Sequence, residues 1–171
     1  MEKEMNNPIV GIVMGSDSDM EVMGEAVSVL KDFGISYEMT VASAHRSPDR
    51  ISRYARSAGT KGLAVIIAGA GGAAHLAGVI ASQTILPVIG VPIASSTLGG
   101  MDALLSTVQM PGGVPVATMA IGKAGARNAG ILAGQILAVK YPEIRDRLEK
   151  FKDEMAREVE RKAKRIEKGQ K

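Results

Sequence analysis

Four of the five main apolar runs in this chain carry no charged residue, and that constrains its fold more than any other feature. They fall at 8–14, 63–68, 87–91 and 114–121, and a fifth run at 36–42 holds a single glutamate. A strand that is apolar at nearly every position, rather than at alternate ones, must be covered on both faces. The segments between the runs read as helices. In 19–33, Val22, Met23, Ala26, Val29 and Leu30 recur at helical spacing, and Gly34 follows as a stop. Ser47-Pro48 reads as an N-cap followed by proline at the first helical position, opening a helix to about Ala58. Further helices are predicted over 73–83, 100–108 and 125–139, the last closed by Tyr141-Pro142.

No hairpin signal joins any two runs, so the strands are predicted to be parallel and linked by right-handed crossovers. The expected fold is α/β: a three-layer, flavodoxin-like, doubly wound sheet of five parallel strands in the order 2-1-3-4-5, with an extra C-terminal helix. That last segment differs in kind. Over 143–168, Ile144, Leu148, Phe151, Met155, Val159 and Ile166 form a narrow apolar stripe on a highly charged helix. It can lie on its own domain or pack on a neighbouring subunit. The stripe continues for several turns after the α/β unit is complete, which favours the second. Residues 1–142 are therefore expected to form the catalytic domain and 143–171 an oligomerisation arm.

At 171 residues with 46% hydrophobic content, the chain can bury one core without covalent help. It has no cysteine, so neither a disulfide nor a thiolate metal site is open to it, and two histidines alone argue against a catalytic metal. The net charge of +3 comes from the tail: residues 143–171 hold 11 Lys/Arg against 8 Asp/Glu, and the preceding 142 hold 10 against 10. With a balanced body, two Phe, three Tyr and no Trp, nucleic acid is not an expected partner. Residues 1–8 are polar and do not read as a signal peptide. No apolar run approaches the roughly 20 residues that span a bilayer. A cytoplasmic enzyme without membrane contact is expected.

In an open parallel sheet, ligands bind beyond the carboxyl ends of the strands. The unusual residues of this chain fall there. Gly15-Ser16-Asp17-Ser18-Asp19 follows the first strand, Ser43-Ala44-His45-Arg46 the second, Gly69 through His75 the third and Ser95-Ser96-Thr97 the fourth. Ser16 and Ser18 at a helix start make an anion site or simply cap the helix. Asp17 and Asp19 would repel a phosphate, so one of them suits sugar hydroxyls. Arg46 can clamp a phosphate through two N–H groups. His45 is an imidazole, the side chain that gives or takes a proton in the working pH range. The Gly69–Ala74 stretch, including Ala70 and Gly71, has no side chain larger than methyl. It either lets a ligand approach the backbone or packs a helix tightly on a strand. His75 falls inside a predicted helix, where a structural role competes with a catalytic one.

Four strings carry a resemblance to a known family. They are Met14-Gly15-Ser16-Asp17-Ser18-Asp19, Ser43-Ala44-His45-Arg46-Ser47-Pro48-Asp49, Ile67 through Leu76, and Val108-Gln109-Met110-Pro111-Gly112-Gly113-Val114-Pro115-Val116. In this order they resemble the 5-(carboxyamino)imidazole ribonucleotide mutases of de novo purine synthesis, over roughly residues 9–142. The resemblance implies an isomerase that needs no metal, ATP or organic cofactor, acts on a ribonucleotide and assembles as a homo-octamer. It implies His45 as general acid/base. Ser16, Ser18, Asp19, Ser43, Arg46, Ala70, Gly71 and His75 are the expected substrate contacts. Met20 and Ala77 stand where the family often has an aromatic residue and a proline. A direct aminoimidazole ribonucleotide carboxylase and a non-catalytic ribonucleotide-binding module are the alternatives; the intact glycine segment favours the mutase.

Overall fold

A computed structural model describes residues 9–169. Residues 1–8, read above as lacking a signal segment and as containing the first residue of the opening strand, lie outside the described residues. So do 170–171, at the end of the predicted arm. The chain runs β1 (Val10–Met14), a 3-10 turn (Asp17–Asp19), α1 (Met20–Asp32), β2 (Tyr37–Val41), α2 (Pro48–Ala58), β3 (Val65–Gly71) and α3 (Leu76–Ala81). It continues through β4 (Val88–Ile93), α4 (Met101–Val108), β5 (Ala117–Thr118), α5 (Lys123–Ala138) and α6 (Pro142–Glu167). The strands form one five-stranded sheet in the order β2-β1-β3-β4-β5, and every pairing is parallel, as the sequence predicts.

Each central strand feeds two cores. Val10, Ile12 and Met14 of β1, with Val65 and Ile67 of β3, pack against Met23, Ala26 and Leu30 of α1 and Ala126, Ala129 and Ala133 of α5. The intervening Val13, Ile66 and Ala68 point the other way, onto Ile51 and Ala55 of α2 and Leu76, Ala77 and Ile80 of α3. This is the period-two alternation of a strand with both faces buried, which is why the runs look continuous in sequence. On the first face α5 lies close on α1: a Cβ at Gly130 would press on the Ala26 carbonyl and the Val29 side chain.

Three elements differ from their predicted bounds by three residues at one end or both, the others by two or fewer among the described residues. β3 continues past Ala68 to Gly71 because Ala70 and Gly71 extend the ladder to Pro92 and Ile93 of β4. Gly72 then turns the chain at φ 61, and α3 starts only at Leu76 instead of at residue 73. His75 is thus the cap residue ahead of α3 rather than part of its interior. β5 keeps two residues of the predicted 114–121, since Pro115 has no N–H to give a ladder and the Val114 N–H turns back to the Pro111 carbonyl. The chain still follows β4 beyond that point, with Met119 N–H on Gly90 O at 2.9 Å and Gly122 N–H on Pro92 O at 2.8 Å.

The apolar stripe of α6 divides in two. Ile144 and Leu148 are buried in the α1/α5 core, and Phe151 meets Phe33 edge-on at 5.6 Å. Arg147 donates to the Phe33 carbonyl at the end of α1, and Arg145 to Ala138 O at the end of α5. These cations satisfy carbonyls that a helix end leaves without partners. Beyond that, Met155, Val159 and Ile166 are exposed. Among the described residues, no helix is long and apolar enough to cross a membrane. Ile144→Ala should lower the unfolding free energy by about 2–5 kcal/mol, the usual cost of emptying a buried aliphatic site; urea denaturation measures it.

Candidate active site

β1 lies between β2 and β3, and its register sets the level at which three chains leave the sheet. Met14 is paired with Val41 on one side and Gly69 on the other. The bonds continue one step further: Ala42 N–H reaches Met14 O at 2.9 Å and Gly15 N–H reaches Gly69 O at 3.0 Å. The connection from β1 goes to β2 on one side, and the chain then returns to β3 on the other. This is the switch point at which doubly wound sheets open a crevice. A cleft of about 370 Å³ lies there. Its lining includes every predicted site residue: Ser16, Ser18, Asp19, Ser43, His45, Arg46, Ala70, Gly71 and His75. Leu76 and Ser95 also line it. Leu76 follows the histidine of the third string, and Ser95 belongs to the hydroxyl cluster after β4.

Beyond β1 the capping reading and the site reading apply to the same atoms. Ser16 caps the 3-10 turn: its hydroxyl accepts from Ser18 N–H at 3.4 Å, and Asp19 Oδ2 accepts from Ser16 N–H at 3.1 Å. This reciprocal pair is a capping box set one turn before the predicted helix start. The Ser18 hydroxyl donates to Ser16 Oγ at 3.0 Å, and Ser16 Oγ donates to Asp17 Oδ1 at 3.1 Å. Asp19 is 5% exposed. Burial holds its carboxyl above the ordinary aspartate range; the Ser16 N–H pulls the other way, and the neighbouring Asp17 charge raises it again.

The turn after β2 is tied by two hydroxyls. Ser47 is the cap residue ahead of α2, with Pro48 following as predicted, but its side chain does not bond into the helix. It accepts from Ser43 N–H at 2.9 Å and donates to Ser43 O at 3.1 Å. Ser43 Oγ in turn accepts from Arg46 N–H at 3.2 Å and from Arg46 Nε at 3.4 Å. Arg46 Nη2 reaches across to Gly15 O at 3.4 Å. The guanidinium is therefore held between the ends of β1 and β2. His45, at the tip of this turn, places Nε2 2.8 Å from Nδ1 of His75. The sequence contains no signal for that contact, because the two residues are 30 positions apart.

In the glycine stretch, close packing is observed directly. A Cβ at Gly69 would overlap the Met23 thioether in the core, and one at Gly71 would overlap the Ser95 hydroxyl. Gly72 takes the left-handed turn. Of this stretch, Ala70, Gly71 and Ala73 line the cleft. Among the described residues, no group of three His, Asp or Glu is placed to hold a metal ion.

Residues 9–158 match the family model described as AIR carboxylase. A Thermotoga maritima protein named N5-carboxyaminoimidazole ribonucleotide mutase is 61% identical over 160 residues, covering 94% of this chain and 92% of that one. A Pyrococcus horikoshii protein of the same name is 59% identical, covering 94% of this chain and 89% of its own length. The crystal structure of Treponema denticola PurE superposes with a TM-score of 0.82 at 27% identity, over 93% of this chain and 98% of that one.

The raised Asp19 carboxyl has a consequence for stability. The folded state holds this proton more tightly than the unfolded chain does. Its contribution is fully present in acid, below the unfolded value near 3.9, and is lost as pH rises through the higher folded value. Asp19→Asn keeps an oxygen for Ser16 N–H and removes the titration. Urea unfolding from pH 3 to 7 should show the variant gaining on the parent as pH rises, then levelling off.

Proposed function

The chain belongs to the AIR carboxylase family, and from that premise we propose that it is an N5-carboxyaminoimidazole ribonucleotide mutase of purine biosynthesis. It is an isomerase that moves a carboxyl group from the exocyclic nitrogen of an aminoimidazole ribonucleotide to the adjacent ring carbon. The observation that carries this reading is the 61% identity to a protein of that name over nearly the whole of both chains.

The cleft suits that chemistry. In the proposed cycle, protonated His45 gives its proton to the exocyclic nitrogen as the nitrogen–carboxyl bond breaks and CO2 is released. The ring carbon then bonds to the CO2, and neutral His45 takes the proton that this carbon gives up. One group serves as acid and then as base, so the proton count closes over a turnover. Ala70 and Gly71 supply a wall without reactive side chains, against which CO2 stays close to the ring while water is kept out. Arg46 is already anchored through Nε and Nη2, which leaves Nη1 for the substrate phosphate. Ser16, Ser18 and Ser43 offer hydroxyls to the same ribonucleotide, and Asp19 Oδ1 suits a ribose hydroxyl.

We further propose a cytoplasmic homo-octamer. Met101, Leu105 and Val108 of α4, with Leu98 in the loop before it, expose apolar surface, and the distal half of α6 exposes Met155, Val159 and Ile166. Neighbouring subunits are the occupants proposed for both surfaces; of the arm expected over 143–171, the first half packs on its own domain and only the part from Met155 onward is left to reach a neighbour. The absence of cysteine suits a reducing compartment.

Purified protein mixed with the carboxyamino substrate, without ATP or added bicarbonate, should give the ring-carboxylated product by ultraviolet absorbance; no product rejects the mutase. Turnover that instead requires aminoimidazole ribonucleotide and bicarbonate supports the direct carboxylase. His45→Asn should lower kcat by about 10²- to 10⁴-fold. A hydrogen bond to a charged group is worth about 1.5–3 kcal/mol, so Arg46→Ala should raise KM by roughly 10- to 100-fold. Light scattering should report an octamer for the full chain and a smaller species once residues 153–171 are removed.

A further inference from the structure

The chain has two histidines, and both stand in the cleft in contact with each other. Nε2 of His45 is 2.8 Å from Nδ1 of His75, with the ring centroids 4.9 Å apart and the planes at 73°. They arrive from different strand ends. His75 is held by its own backbone: its N–H donates to Ala73 O at 2.8 Å, and its carbonyl accepts from Val79 N–H at 2.9 Å as α3 begins. Among the described residues, neither Nδ1 of His45 nor Nε2 of His75 has a hydrogen-bond partner.

A nitrogen–nitrogen contact of this length contains one proton and one lone pair. Two arrangements satisfy it, and they differ in what they leave free. If His75 donates from Nδ1, neutral His45 must keep its single proton on Nδ1 and has no bare nitrogen with which to accept another. If His45 donates from Nε2, neutral His45 has a bare Nδ1, and protonated His45 has a proton there to give. Only the second arrangement lets one imidazole act first as acid and then as base without reversing the bond between the rings.

We infer that His75 is a positioning residue. Its Nδ1 accepts the Nε2–H of His45 and so fixes Nδ1 of His45 as the nitrogen that carries the transferred proton. This rests on His45 being the proton carrier. The balance closes: protonated His45 gives the Nδ1 proton to the exocyclic nitrogen, remains hydrogen-bonded through Nε2–H, and regains a proton on Nδ1 from the ring carbon. His75 keeps its own proton on Nε2 throughout. The bond is strongest when His45 is charged, since a charged donor is better than a neutral one. It also fixes the ring plane, as outer partners of functional histidines do.

With two imidazoles in the chain, long-range proton–nitrogen correlation on 15N-histidine-labelled protein resolves the tautomers, and His75→Asn assigns them. Above the range in which histidines titrate, His45 should show a protonated Nε2 and a bare Nδ1; a proton on His45 Nδ1 overturns the proposal. His75→Phe keeps a flat ring without nitrogen and should lower kcat by about 10- to 100-fold, with KM within about threefold. His75→Asn returns an acceptor oxygen close to the place of Nδ1 and should exceed the phenylalanine variant in kcat by at least about fivefold. If His75→Phe turns over as fast as the parent while His45→Asn is inactive, only the His75 assignment fails. If His45→Asn itself remains active, the acid/base role of His45 fails with it. Should the phenylalanine variant not fold, the tautomer measured in the unaltered protein decides alone.

Discussion

The site depends on β1 being hydrogen-bonded on both edges. A strand paired on one side leaves its neighbours free to end at any height. Here Met14 is in register with Val41 and with Gly69 at once, so β1 and β2 end at one level and β3 ends two residues beyond it. Buried apolar faces above and below make that register costly to change, because a slip of one residue would exchange the two cores. Precision at the cleft is therefore supplied by residues such as Ile12 and Ile67 that never meet a ligand.

On this frame, small hydroxyl groups set the functional side chains. Ser47 ties the ends of a five-residue turn, Ser43 holds the base of Arg46, and Ser16 caps the turn that brings Asp19 under cover. Ser43 and Ser16 each use one hydroxyl for the backbone and for a neighbouring side chain, and Ser47 uses its own for both the N–H and the carbonyl of Ser43. Such economy suits a cleft in which substrate must also find donors. It also explains why capping and binding were hard to separate at Ser16 and Ser18: the cap is what turns these groups toward the opening.

Much of this was legible in the sequence where the physics is local or periodic. Continuous apolar runs at 63–68 and 87–91 announce two-faced burial, Gly34 and Pro48 mark helix limits, and polar residues after each strand mark the ligand edge. The parts that could not be read depend on distant partners. β3 gained three residues because β4 was there to pair with Ala70 and Gly71, and that displaced His75 from a helix to its cap. β5 shrank because prolines at 92 and 115 leave too few donors. The bonding role of Ser47 looked like a helix cap because a serine before a proline signals one. The contact between His45 and His75 has no sequence signature, since thirty residues and a crossover separate them.

The bare backbone beside the cleft has a consequence for how this enzyme can vary. At its glycines this stretch can be altered in one direction only. Every substitution there adds atoms, and at Gly69 and Gly71 the added atoms overlap Met23 and Ser95. The alanines of the wall, Ala70 and Ala73, have one methyl each to lose. Selection can narrow this side freely but widen it by no more than those methyls, so a change toward bulkier substrates would have to come through the loops after β1 and β2.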